Sequence, residues 1–161
     1  MNRTSGFSAL VFCSLFCPAA HPQDPQTSVL SADRKAAEQA YNNSVEKIAA
    51  HDFIRALADL DKAVREDPLF PEAYLLRSRV RFKLGDIYNA LADVNRAIEL
   101  HPFSGEAFYL RAFYAFSSDT ATVRGEDLEK AIRLGYQDAS AFYYRGLYNL
   151  LKGNTAEAVR D

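Results

Sequence analysis

The sequence predicts an all-α fold, a right-handed solenoid of stacked antiparallel helix hairpins, and three observations predict it. The 161-residue chain repeats itself with a period of 34, kept by Ala73, Ala107 and Ala141, by Arg77, Arg111 and Arg145, by Ala63, Ala97 and Ala131, and by Asp59, Asp93, Asp127 and Asp161. So many registers sharing one period mark an array of equivalent units. In EAYLLRSRVRFKLGDIYNALADVNRAIELHP, residues 72–102, the apolar positions recur at helical spacing in two blocks. Turn chemistry separates the blocks, with Gly85 and Asp86 inside the unit and Pro68 and Pro102, 34 apart, at unit ends. A lone hairpin leaves one apolar face in water and forfeits about 1.5–3 kcal/mol for each large side chain there. Stacking the next hairpin on it recovers that term and generates a superhelix of helix pairs.

Residues 1–20 read as a secretory signal peptide. Arg3 is the one charge before Asp24, and Phe7 to Cys17 is an uncharged run of 11 residues, FSALVFCSLFC. A membrane-spanning helix needs about 20 apolar residues, whereas a basic start, a short apolar run and then Pro18, Ala19 and Ala20 fit an export signal. A buried core helix is the weaker reading, because Pro18 and the polar HPQDPQTS follow at once. The expected localisation is therefore periplasmic or secreted. A lipid anchor is the second choice, since Phe12 and Phe16 stand before Cys13 and Cys17 where such signals resemble one another in having a small residue. Both cysteines fall in this segment, so the processed chain would carry none and need no disulfide. Residues 21–35, polar and turn-prone at their start, read as a flexible linker. Asn42-Asn43-Ser44 has the form of a glycosylation sequon but lies in a helical pattern.

The array is expected over 36–161, as units 37–70, 71–104 and 105–138 and a truncated fourth, 139–161. Gly85 suits the left-handed position after a helix and Asp86 can cap the next one. Gly153-Asn154 repeats this turn, while His51-Asp52 keeps the cap and puts a side chain in the glycine position. Pro68 and Pro102 stop second helices, and Pro71 is placed to open a first one. Small residues mark the close helix approaches (Ser78 with Ala90 and Ala97, Ala112 with Ala131), and Tyr74, Phe108 and Phe142 fill the space beside them. The third unit departs from the pattern: Arg124 replaces a small residue, Tyr136 replaces the terminating proline, and SSDTATVRGED predicts a late or irregular second helix. In the fourth unit Phe142, Leu147, Leu150 and Leu151 are expected to be partly uncovered. That implies a longer array or, failing it, a face available for self-association.

With Tyr74, Ser78, Gly85, Ala90, Ala97 and Pro102 in its second unit, the chain resembles the tetratricopeptide repeat family over about residues 37–161. The first unit retains Ser44, Ala56, Leu60, Ala63 and Pro68, and the third Phe108, Ala112, Leu128 and Ala131. The resemblance implies a protein–protein interaction scaffold that binds a peptide or protein partner on the concave surface of its first helices. By register that surface includes Tyr41, Val45, Leu75, Arg79, Lys83, Tyr109, Phe113, Tyr143 and Leu147, unless several of the aromatics pack between units instead. Family members that grip chaperone C-terminal carboxylates use Lys, Asn and Arg there. This chain offers Tyr41, Val45, Leu76, Glu106 and Leu110, so binding of that kind is not expected.

Arg77, Arg111 and Arg145 each precede an aspartate, Asp93, Asp127 or Asp161, by 16 residues, on the opposite helix of the same hairpin. A guanidinium fork suits such a bridge, so the pairs read as structural, with none expected in the first unit, where Asn43 replaces the arginine. Catalysis has little footing. His21, His51 and His101 stand apart, and there is no phosphate-binding glycine loop and no HExxH, so no enzyme, cofactor or metal is expected. Nineteen Lys plus Arg against 21 Asp plus Glu give a formal net charge of −2, which excludes a basic nucleic-acid binder. The alternative function is a fragment or accessory repeat region of a larger exported protein, serving as a spacer or joined to an enzyme whose active residues lie beyond Asp161.

Overall fold

The computed structural model describes residues 25–118 and 124–160; the expected signal segment 1–20 and Asp161 lie outside the described residues. Eight helices occupy the described residues, with no strand among them: α1 Pro25–Ala49, α2 Phe53–Glu66, α3 Pro71–Lys83, α4 Ile87–Leu100, α5 Gly105–Ser117, α6 Gly125–Arg133, α7 Ala139–Leu151 and α8 Thr155–Ala158. They pair as four hairpins, and the packing runs from each helix to the next in sequence, as in a solenoid.

Four tight turns join the two helices of a hairpin or follow one. After α3, the N–H groups of Gly85 and Asp86 donate to the carbonyls of Phe82 and Arg81, so the last turn of the helix is closed by its own chain. Gly85, at φ 84°, supplies the left-handed residue this requires. His51 stands in the same place after α1 with φ 58°, and Asp52 N–H donates to the Lys47 carbonyl. A Cβ is strained there, so His51→Gly is expected to be neutral or to stabilise by up to about 1 kcal/mol in urea denaturation. A clear loss of stability would contradict that reading of the turn.

Asp86 then caps α4: its carboxylate accepts from Asn89 N–H at 3.2 Å and from Asn89 Nδ2 at 2.8 Å. Those bonds, the side-chain one foremost, hold the Asp86 pKa below its ordinary value. A lowered carboxyl pKa contributes stability above the ordinary value that fades as pH falls through the lowered one. Asp86→Ala is expected to cost about 1 kcal/mol at neutral pH, the usual worth of a cap. The gap from wild type should close in acid, as measured by melts across pH.

Helices α2 and α4 end before Pro68 and Pro102, where Asp67 and His101 turn out of helical geometry, as the ring of a following proline demands. Helix α6 ends differently. Tyr136 N–H donates to Ala131 O and Gly135 N–H to Ile132 O, with Gly135 at φ 87°, so a glycine cap replaces the proline stop. As expected, α6 is late and short, with 9 residues against 14 in α4, and Arg124 is exposed ahead of its first turn.

One difference lies at the start. Residues 25–35, assigned from sequence to a linker, have helical backbone continuous with the first hairpin. Pro25 opens the helix, a position that wants no N–H donor. The Ala-, Glu- and Lys-containing stretch from Ser31 favours its continuation. Arg34 ties this extension down: Nη1 donates to Asp67 at 2.7 Å, and the guanidinium lies 4.2 Å from the centre of the Phe70 ring.

Small residues set the helix spacing. Ala56, Ala63, Ala73, Ala90, Ala97, Ala107, Ala131 and Ala141 are all fully buried. At one register of the first helices stand Ser44, Ser78, Ala112 and Gly146, each buried; the Ser44 and Ser78 hydroxyls donate to the carbonyls of Tyr41 and Leu75 and so bring no unmet polar group inside. Between the second and third hairpins Tyr114 is 1% exposed, and its ring stacks on Phe82 with centroids 4.5 Å apart.

Candidate functional site

The first helices α1, α3 and α5 meet around a cleft of about 110 Å³. Tyr41 comes from α1, Glu72, Leu75, Leu76 and Arg79 from α3, and Glu106 from α5. A period of 34 and a helix of 3.6 residues per turn put equivalent positions of successive hairpins on one face, which is why three elements can share one cleft. Among the nine groove residues expected from sequence, the structure brings Tyr41, Leu75 and Arg79 together here. Val45 is exposed one turn further along α1, and Lys83 is exposed in the last turn of α3. On α7, Tyr143 is 66% exposed and Leu147 half-buried.

Tyr109 and Phe113 are placed differently from a groove lining. Tyr109 is buried, its ring stacked on Tyr136 at 4.7 Å and on Phe113 at 6.0 Å. Phe113 is half-buried against Phe82 at 5.2 Å and Tyr144 at 5.4 Å. Tyr136, standing where a proline was expected, supplies from the same unit the ring that covers Tyr109, while Phe113 joins its hairpin to those before and after it. Burial in turn pushes the Tyr136 and Tyr144 hydroxyl pKa values up.

Charge in the cleft is uneven. Arg79 forms an ion pair with Glu106 of the next hairpin. Glu72 is exposed and makes no hydrogen bond or ion pair among the described residues. Glu38, 34 residues before Glu72, is held by Arg34 Nε at 2.9 Å. The apolar floor of Tyr41, Leu75 and Leu76 is thus flanked by two carboxylates and one guanidinium already engaged. Glu72 was missed in reading the sequence, although its spacing from Glu38 and Glu106 was there to be seen.

In the arginine ladder, Arg77 and Arg111 bridge the two helices of their hairpins and reach further than expected. Arg77 grips Asp93 with Nε at 2.9 Å and Nη2 at 2.6 Å, and its Nη1 donates to Asp61 of the preceding hairpin at 2.8 Å. Arg111 repeats this with Asp127, Nε at 2.7 Å and Nη2 at 2.6 Å, and with Asn95 at 3.1 Å. Each guanidinium therefore ties its own hairpin and the hairpin before it. Burial opposes the charge of Arg77, but Asp93 and then Asp61 outweigh it and hold the pKa above its ordinary value. In the first hairpin Asn43 makes no bridge to Asp59 but accepts from Gln39, and Lys47, one turn after Asn43, reaches Asp59 instead. Arg81, 34 residues on from Lys47, likewise donates to Asp93 at 2.8 Å. Arg145 lies over the Phe142 ring at 5.4 Å, as Arg77 does over Tyr74 at 5.3 Å; the expected partner Asp161 is outside the described residues.

A second, larger concavity of about 530 Å³ between α6, α7 and α8 is lined by Glu129, Arg133, Arg145, Glu157 and Arg160 among others, and contains none of the expected groove residues. No group of three metal-ligating side chains occurs among the described residues, and no described helix is long and apolar enough to cross a membrane.

Hairpins of this length, stacked in register with an inner cleft on their first helices, define a helical-repeat solenoid. The model of the tetratricopeptide repeat family matches residues 41–105 and 126–161, more than half of the chain, and the chain belongs to that family. Among solved structures it is similar to a crystal structure of MamA, at 26% identity and a TM-score of 0.71 over 83% of this chain and 78% of that one. It is similar in fold to MamA from Desulfovibrio magneticus RS-1, at 20% identity and a TM-score of 0.67 over 77% and 70% of the two chains. A third neighbour is the first TPR of Spaghetti (RPAP3) bound to the HSP90 peptide SRMEEVD, at 19% identity and a TM-score of 0.64 over 80% and 96%. No characterised protein sequence matches the chain significantly. Family and fold are those of a protein-interaction scaffold.

Proposed function

We propose that this protein is a non-catalytic scaffold that holds a peptide segment of a protein partner in the cleft on its first helices. The carrying observation is the convergence of Tyr41, Leu75 and Leu76 from two successive hairpins, with Glu106 of a third closing the cleft. An apolar floor with a few placed charges is what a bound segment needs for affinity and register. A repeat domain of like fold with a peptide bound, that of RPAP3, supports this use of the architecture.

Affinity capture with the purified chain tests it. Tyr41→Ala/Leu75→Ala is expected to lose partners that wild type retains, while Tyr88→Ala, 83% exposed on the second helix α4, keeps them. Melting curves on all three proteins confirm that the comparison is between folded chains. Unchanged partners in the double variant, or loss with Tyr88→Ala alone, would place the site elsewhere. The same proposal puts the protein outside the cytoplasm, on the basic start and 11-residue apolar run. A reporter enzyme active only after export, fused behind residues 1–35, should then be active, and an inactive, cytoplasmic fusion would oppose export.

A further inference from the structure

We propose, resting on the peptide-binding reading above, that the cleft selects a partner segment carrying a lysine or arginine beside apolar side chains and disfavours an acidic one. Glu38, Glu72 and Glu106 recur at one register of the first helices. Arg34 engages Glu38 and Arg79 engages Glu106, which leaves the exposed Glu72 as the carboxylate with no partner among the described residues. An entering carboxylate would meet Glu72 and would have to draw Arg79 away from Glu106. An entering ammonium or guanidinium group finds Glu72 ready and breaks no existing pair, the arrangement that complementary charge requires. Tyr41, Leu75 and Leu76 accept the methylene stem of such a side chain and the apolar residue next to it. Lys83 does not cancel this field. It lies about 16 Å along α3 from Glu72 by helical rise, beyond the roughly 8–10 Å over which exposed charges act in physiological salt.

The test is to pan a phage-displayed library of random dodecamers against the full chain, its Glu72→Lys and Glu72→Gln variants, and a blank surface. The expected result is that peptides enriched on wild type carry Lys or Arg in clear excess over Asp and Glu. The excess should shrink on Glu72→Gln and reverse on Glu72→Lys. A synthetic peptide from the wild-type pool should bind Glu72→Lys about fivefold or more weakly by fluorescence anisotropy, the scale of removing and then opposing one exposed attraction. Thermal melts establish that both variants fold, which an exposed position permits. Enrichment without a basic excess, or an excess that Glu72→Lys leaves unchanged, overturns this inference and leaves the groove reading standing. No enrichment over the blank surface overturns the groove reading, and this inference with it.

Discussion

Asp93→Ala is expected to destabilise the protein by about 3–5 kcal/mol, because it removes one side of a buried charge pair and leaves the other behind. Asp93 is 3% exposed and accepts three charged hydrogen bonds, two from Arg77 and one from Arg81. The Arg77 side chain is 12% exposed and would keep Asp61, itself 45% exposed, in place of the buried Asp93 fork. Asp127→Ala should cost less, since Asp127 accepts from Arg111 alone among the described residues and the pair is more open to water than Arg77–Asp93, with side chains 18% and 10% exposed against 12% and 4%. Arg111→Ala should lower the urea midpoint while leaving partner binding nearly intact, and Arg111→Lys should restore little, as an ammonium cannot span both carboxylate oxygens and a second hairpin. Equilibrium urea denaturation of the four variants gives the ranking. Equal, small losses would show that the ladder contributes nothing to stacking.

Tyr114→Ala should be comparably severe, about 3–5 kcal/mol, the range for deleting a buried aromatic ring. The ring is nearly inaccessible, lies flat on Phe82 and tilts against Phe113 at 5.8 Å, so its removal opens a cavity between the second and third hairpins. Tyr114→Phe keeps the rings and forfeits only the hydroxyl contact with Ser78 Oγ at 3.4 Å, a loss of about 1 kcal/mol or less. The pair also separates packing from ionisation. Burial raises the Tyr114 hydroxyl pKa above its ordinary value, so the stability tied to the neutral form is complete below that value and is lost as pH rises through the raised one. Tyr114→Phe should therefore show a shallower alkaline decline than wild type in melts taken on both sides of the transition.

Most of the array could be read from spacing because its causes are local. Gly85, Asp86, Pro68 and Pro102 act through backbone conformation and capping within a few residues, and all four place helix ends where the structure has them. The late α6 was legible for the same reason, since no small residue stood at Arg124. Long-range placement was less so. The fork of Arg77 onto Asp93 followed from the spacing of 16, yet its third amine found Asp61 in the hairpin before, a contact that depends on how the hairpins lean together. Tyr109 and Tyr41 occupy equivalent registers, 68 residues apart across two repeats, yet Tyr109 is buried against Tyr136 and Phe113 while Tyr41, half-buried against Phe70, lines a cleft. The helical course of 25–35 was hidden by the polar, proline-containing start of the stretch, although Arg34 carried the charge that docks it on Asp67.

A partner segment is expected to sit on the inner face of the first helices. The direct measurement is an amide and side-chain NMR footprint of a library-selected peptide titrated into the labelled full chain. Saturable shifts are expected at Tyr41, Glu72, Leu76, Arg79 and Glu106, with the second helices α2 and α4 quiet along their exposed faces. Shifts centred instead on Ile54 and Tyr88, which stand exposed on those second helices, would contradict it.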